Sequence, residues 1–168
     1  MKKIILFCSV IVVAVGLVVA AEEKKQDAQA RTASAATHEV ISPDDIKWGD
    51  VPPGLPAGGQ AAVLYGDPSK TGSFTVRLKA PAGYKVMPHT HPTAERLTII
   101  SGTFRLGMGD KFEEKTTQEM GPGSYVDLPA GMSHFAFTPS GAVVQIDSEG
   151  PFVIKYVNPN DDPRSAQK

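Results

Sequence analysis

Short stretches of alternating apolar and polar residues follow one another along most of this chain, and glycine and proline separate them. Between residues 74 and 79, Phe74, Val76 and Leu78 alternate with polar neighbours. Successive side chains of an extended chain point to opposite faces, so this pattern predicts a strand with one face in the core. Such strands in series predict an all-β barrel or sandwich. The β-branched or aromatic runs are Ala61–Tyr65, Ser73–Leu78, Tyr84–His89, Arg96–Ile100, Thr103–Met108, Ser124–Leu128, His134–Phe137, Val143–Ile146 and Phe152–Tyr156.

Glycine-containing segments indicate where the chain reverses. Ser101-Gly102 and Pro139-Ser140-Gly141 are expected to be turns between paired strands, because glycine adopts positive φ at no steric cost. At 168 residues the chain is long enough for one domain with a real core. We place that domain at residues 38–168.

Histidine is scarce, and three of the four histidines lie in two short glycine-bounded segments. In the first segment His89 and His91 stand two positions apart, so an extended chain points both to one face. Pro92 cannot continue a ladder, so the chain can turn and bring Glu95 back toward the imidazoles. The second segment adds His134. We therefore predict one metal site formed by these three histidines and Glu95.

This ligand set indicates one divalent transition ion, which is Zn, Mn, Fe, Ni or Cu. Imidazole suits Zn, Cu, Fe and Ni, and a carboxylate widens the range toward Mn and Fe. Three histidines and one carboxylate leave positions free for water or substrate, so Glu95 is also our candidate catalytic residue. The alternative is structural, with surface or core histidines and a solvated carboxylate. Four residues matching spaced patterns favour a ligand cluster.

The two segments resemble the two sequence motifs of the cupin superfamily. The first motif, G-x5-H-x-H-x3-E-x6-G, is filled at every defined position, by Gly83, His89, His91, Glu95 and Gly102. The second motif, G-x5-P-x-G-x2-H-x3-N, is matched by Gly123, Pro129, Gly131 and His134. Thr138 stands where that motif has Asn, outside the family's metal ligands.

The resemblance covers residues 38 to 160 and is nearest to single-domain ChrR-like cupins. It implies a double-stranded antiparallel β-barrel, an RmlC-like jelly roll, with the ligands pointing inward. It also implies that the partner is a small-molecule substrate or ligand.

Four further residues are expected to contact that substrate. Met87 shares the strand parity of His89, and Phe104 and Met108 come from the next strand, so these three are predicted to form an apolar wall. Tyr125 is a candidate for orienting an imidazole or binding substrate, with a plain strand role as the alternative.

The charge balance argues against nucleic acid as a partner. The net charge is −1, from 17 basic and 18 acidic residues. Without Lys2 and Lys3 the basic residues fall to 15 and the net charge becomes −3. No basic surface for nucleic acid is indicated.

Residues 1–21 resemble an export signal. Lys2 and Lys3 precede an apolar run that ends in small residues, with cleavage expected after Ala20 or Ala21. We therefore expect an exported protein, periplasmic or extracellular, without stable membrane insertion after cleavage. The alternative is an uncleaved N-terminal anchor that tethers the protein to a membrane, since the run approaches the length of a span.

Two features of the N-terminal part bear on chemistry. Residues 22–37 contain no large apolar side chain and are predicted to be a flexible linker. Cleavage would remove Cys8, the only cysteine, and with it any thiolate ligand or cysteine nucleophile.

An assembly prediction follows from the strand around His134. With that ring inward, Phe135 and Phe137 lie on the opposite face and need cover from another layer or another chain. A homodimer is one way to supply that cover.

Two classes of function stay open. The first is an exported metalloenzyme of oxidoreductase, isomerase or decarboxylase type, in which the metal polarises a carboxylate- or enol-type substrate or activates O2 or water. The second is a non-catalytic module that senses a metal or captures a small ligand. The glutamate favours the enzyme, and the lack of a second evident general acid or base weakens it.

Overall fold

A computed structural model describes residues 38–167 of the chain. Its contacts separate a unit that begins at Ile41, and all the strands described lie in it. The strands are β1 (Gly49–Asp50), β2 (Gln60–Tyr65), β3 (Gly72–Ala80), β4 (Tyr84–Thr90), β5 (Glu95–Gly102), β6 (Phe104–Met108), β7 (Gln118–Met120), β8 (Tyr125–Leu128), β9 (His134–Thr138), β10 (Ala142–Gly150) and β11 (Lys155–Tyr156). Short 3₁₀ helices lie at Pro43–Asp45, Glu114–Thr116, Pro159–Asp161 and Pro163–Gln167.

The predicted export signal and linker lie outside the described residues, so both stay predictions. Within residues 38–167, no helix has the length and apolar character needed to cross a membrane.

The strands form two antiparallel sheets that share one core. The first sheet has six strands in the order β1-β2-β3-β10-β5-β8, and the second has five in the order β11-β4-β9-β6-β7. Phe74 and Leu97 from the first sheet pack in one cluster with Phe104 and Leu106 from the second. The predicted all-β, jelly-roll-like fold is confirmed, and its two sheets face each other as a sandwich.

The two predicted glycine turns join the sheets and do not connect paired strands. β5 ends at Gly102 in the first sheet, whereas β6 begins in the second, and β9 passes to β10 across Gly141 in the same way. Gly102 has a φ of 78°, and a Cβ there would collide with the backbone of Gly141. The turns are where we expected them, but the expected strand pairing is wrong, because the chain uses both turns to change sheet.

The last predicted strand is shorter than expected. Only Lys155 and Tyr156 pair with β4, whereas residues 152–154 form no ladder. Phe152 instead packs edge-on against Phe74, with ring centroids 5.2 Å apart. The segment from 152 to 154 is therefore a connection that packs against the first sheet without strand pairing.

The outward face of β9 is covered by the chain itself. Phe135 is fully buried, with 0% exposure, and its ring occupies the space that a side chain at Gly107 would need. Phe112, from the loop before β7, lies 5.1 Å from the Phe135 ring. This loop supplies cover that we had assigned to another strand layer or a second chain, and a homodimer stays a prediction.

Candidate metal centre

An irregular β4 brings the histidines together. His89 pairs with His134 on β9, so both rings project from the same side of the second sheet. The register shifts between Val86 and His89, and both of these residues line the interior. Pro88 lies in this bulge. Proline has no N–H to donate to the β-ladder, and it is tolerated here because the regular ladder is already interrupted. His91 follows β4, is buried, and has its ring centroid 4.9 Å from that of His89.

Glu95 reaches the histidines from the opposite sheet. The chain leaves β4, passes Pro92 and enters β5 at Glu95. Glu95 and Leu97 are both buried, as expected for two residues that share the inward face of a strand. The Oε2 atom of Glu95 lies 3.5 Å from Nε2 of His91 and 3.2 Å from Nε2 of His134.

Backbone carbonyls orient all three imidazoles. The Nδ1 atom of His89 lies 2.7 Å from the carbonyl oxygen of Met87, and Nδ1 of His134 lies 3.0 Å from that of Met132. Nδ1 of His91 lies 3.0 Å from the carbonyl oxygen of Val153. A carbonyl oxygen only accepts, so each Nδ1 carries the hydrogen and each neutral ring keeps a lone pair on Nε2. This is the arrangement of imidazoles that bind metals through Nε2.

The spacing of the ligand atoms fits one ion. One ring nitrogen of each buried histidine lies within 4.8 Å of the others. Ligand atoms around a tetrahedral ion with bonds of about 2.05 Å are about 3.3 Å apart, which matches the two Glu95 contacts. Nε2 of His91 is buried and has no hydrogen-bond partner, a costly state that an ion would relieve. The residues present therefore fit a metal ion.

The electrostatics of the cluster also favour a cation. Burial, with a smaller effect from His134 and His91, lowers the pKa of His89 to about 3. Burial also lowers the pKa of His91, against the opposing charge of Glu95. Burial would raise the pKa of Glu95, but its contact with His134 and the nearby His91 and His89 outweigh that effect and lower it. At neutral pH, the neutral imidazoles of His89 and His91 therefore face an ionised carboxylate.

The cluster lies in a small apolar cavity of about 50 Å³. One water needs about 10–15 Å³, so an ion with a few waters or one small ligand group would fill it. Among the described residues that line it, only the three histidines and Glu95 are polar. The apolar lining consists of Leu55, Leu78, Val86, Leu97, Phe104, Leu106, Ala136, Val144, Ile146, Phe152 and Ile154.

Of the four residues expected to contact substrate, only Phe104 lines this cavity. Met87 does not, because the β4 bulge breaks the alternation that would have placed it beside His89. Met108 pairs with His134 but lies at the exposed end of β6, where it lines a separate depression. Tyr125 borders the same depression and pairs with Thr98 on β5. The structure therefore places these three residues outside the metal cavity, and their contact with substrate stays a prediction.

Sequence reasoning missed two residues that contact the candidate ligand His91. Phe152 stacks on its ring, with centroids 4.4 Å apart and an angle of 15° between the planes. The carbonyl of Val153 is its Nδ1 acceptor, 62 positions along the chain. No local pattern links positions so far apart, so only the fold reveals these contacts.

Comparisons with known proteins agree with this fold. The family model described as the ChrR cupin-like domain matches residues 36–152. The polyketide cyclase RemF from Streptomyces resistomycificus is 19% identical with a TM-score of 0.63, and the match covers 79% of this chain and 94% of RemF. An acetylacetone dioxygenase from Acinetobacter johnsonii is 20% identical with a TM-score of 0.56, covering 77% and 83%. An RmlC-like cupin from Shewanella frigidimarina is 14% identical with a TM-score of 0.52, covering 67% and 91%. The curated proteins contain no significant match.

Proposed function

The chain belongs to the ChrR cupin-like domain family, and on that premise we propose that it is a metal-dependent enzyme acting on a small organic substrate. The observation that supports this proposal is the convergence of three imidazoles with the Glu95 carboxylate, which contacts two of them, in an otherwise apolar cavity. We propose an oxidoreductase, isomerase or decarboxylase type of reaction on a carboxylate- or enol-type compound. Two structural neighbours, the polyketide cyclase and the acetylacetone dioxygenase, are named for carbonyl compounds.

The proposed ligands of the ion are His89, His91, Glu95 and His134. The ion would be Zn, Mn, Fe, Ni or Cu, and when bound it would supply Lewis-acid or redox chemistry to an oxygen of the substrate. The three backbone carbonyls hold the imidazoles in place before any ligand arrives. The apolar walls exclude water and strengthen the electrostatic interactions inside.

Glu95 has a second role in this proposal. It is the one carboxylate among the described residues that line the cavity, and its lowered pKa keeps it ionised at neutral pH. A substrate that binds beside it meets a proton acceptor at Oε2 in a site from which water is largely excluded. Glu95 is therefore the candidate general base as well as a candidate ligand.

A non-catalytic binding module is the second candidate function. It is favoured by one observation, which is that no titratable side chain other than the proposed ligands lines the cavity among the described residues. Many reactions need a general acid or base that does not also coordinate the metal. A sensor or capture protein needs no general acid or base.

Glu95→Gln separates the two candidates. Three imidazoles remain, so the variant should keep most of its metal, but the proton acceptor and one unit of charge are lost. We expect turnover to collapse in an enzyme, whereas a binding module would change only its affinity for metal or ligand. The assay screens small carboxylates, enols and sugars aerobically with the Mn, Fe, Ni, Cu and Zn forms. Lack of turnover by the wild-type protein in every metal form would support the binding module.

Export is part of the proposal, and we place the protein in the periplasm or outside the cell. Its support is the leader-like sequence of residues 1–21. Mass spectrometry of the mature protein should find an N-terminus at Ala21 or Glu22. An intact N-terminus in the membrane fraction would instead support the uncleaved anchor.

A further inference from the structure

A second, larger cavity lies against the candidate metal centre. We call it the outer cleft, and it lies between strands β2 and β3 and the two connecting segments 52–55 and 152–154. Its volume is about 560 Å³, within the range of roughly 300–1,000 Å³ that is usual for small-molecule sites. Val63, Val76 and Phe74 line it from the sheet, and Pro52, Pro53 and Val153 from the segments.

The outer cleft exists because the second sheet leaves part of the first uncovered. Ala61 pairs with Leu78 and Val63 pairs with Val76, so β2 turns these side chains to the same face as the core. Val63 is nevertheless 54% exposed. An inward-facing apolar surface therefore remains open to solvent at this side of the sandwich, and it needs an apolar occupant.

The outer cleft and the metal cavity share part of one wall. Leu55, Leu78, Ile146, Phe152 and Ile154 line both cavities. Phe152 contacts a candidate ligand directly, because its ring stacks on that of His91. Because Phe152 lines both spaces, we expect rotation of its ring away from His91 to open a path between them.

The charges at the outer cleft do not favour a charged occupant. Asp50 and Arg164 are the ionisable residues in its described lining. Arg164 already donates to the carboxylate of Asp162 at 2.7 Å and to the carbonyl oxygen of Ile154 at 2.9 Å. The guanidinium is thus held by the protein itself, and apart from Asp50 the remaining wall is apolar.

We propose that the outer cleft binds the uncharged apolar body of the ligand whose oxygen-bearing head reaches the metal. The ligand class is an amphiphile with a carboxylate, enol or similar head and a hydrocarbon chain or ring as its body. This inference rests on the proposed function, because the metal holds the head. The metal cavity alone has room for the head and little more.

The test uses n-alkyl hydroxamates from two to ten carbons as probes, with full-length protein loaded with Co²⁺. The visible spectrum of the cobalt reports binding of the head. Beyond about four carbons, each added methylene should tighten binding by roughly fourfold, the fold-change that corresponds to about 0.8 kcal/mol of transfer free energy. Val63→Asp should abolish this dependence on chain length and leave acetohydroxamate binding unchanged. Tyr65→Asp is the matched control, because Tyr65 lies on the same strand, is 66% exposed and does not line the outer cleft.

The outcomes separate the two proposals. Acetohydroxamate binding without any gain for longer chains would overturn the amphiphile and leave the metal site intact. Failure of the protein to bind cobalt or acetohydroxamate would overturn both. Sedimentation velocity tests whether a second copy of the chain occupies the outer cleft instead. A dimer that Val63→Asp dissociates would show that it does, and would overturn the ligand assignment.

Discussion

Replacing His134 by alanine tests the candidate metal centre most directly. His134 is opposite His89 in the β-ladder and 3.2 Å from Glu95, so its loss removes one of four proposed ligands from the middle of the cluster. An ion that binds only the folded state stabilises it by about 2.7 kcal/mol at a free concentration of one hundred times Kd. For the 130 residues that the structure describes, an unfolding entropy of about 2.1 cal/mol/K per residue converts this energy to about 10 °C in Tm.

The quantity to compare is the increase in Tm on adding metal to chelator-treated protein. The metal-free His134→Ala variant should itself lose about 1–3 kcal/mol, because a buried side chain and its hydrogen bond to Met132 are removed. The increase in Tm on adding metal is measured relative to the metal-free form of the same protein, so it does not include that loss of stability. We expect about one ion per chain and an increment of about 10 °C in the wild-type protein, and most of both to be lost in His134→Ala. His38→Ala is the matched control, because His38 is exposed. An undiminished increment in His134→Ala would refute the assignment of this residue.

Three further predictions concern stability and assembly. The pKa of His89 is lowered to about 3 in the folded protein, so below about pH 6.5 the unfolded chain binds more protons. The metal-free protein should then lose up to about 1.4 kcal/mol per pH unit on acidification, and a urea midpoint that is constant from pH 7 to pH 5 would contradict this. Gly107→Ala should cost about 1–3 kcal/mol through displacement of Phe135, whereas Gly121→Ala, where the added Cβ meets nothing within 4 Å, should be nearly neutral in thermal melts. Sedimentation velocity at micromolar concentration should detect the predicted homodimer, and a monomer alone would contradict it.

The strands of the sandwich could be predicted because their pattern is local. Phe74, Val76 and Leu78 alternate with polar residues, and that period alone determines which face is buried. The same reasoning failed at Met87, because the bulge between Val86 and His89 adds a residue that alternation does not count. Pro88 was the one local sign of an irregular ladder at this point.

The pairing of the strands is not a local property. Gly102 predicts a turn equally well whether the next strand pairs with β5 or enters the other sheet. What decides between them here is the close approach of Gly102 to the backbone of Gly141, 39 positions later in the sequence. The contacts of Phe152 and Val153 with His91 depend on the same long-range folding, and so does the outer cleft.

The candidate metal centre joins the two sheets, and this position connects the fold to the proposed chemistry. His89 and His134 come from the second sheet, whereas Glu95 opens a strand of the first. An ion bound by all of them would link the sheets across the sandwich interior, at a point where apolar packing is interrupted by four polar side chains. Burying these groups weakens the core of the metal-free protein. The same burial keeps the imidazoles of His89 and His91 neutral and gives the carboxylate a setting with few competing waters, so the local loss of packing is what makes the site suitable for a metal.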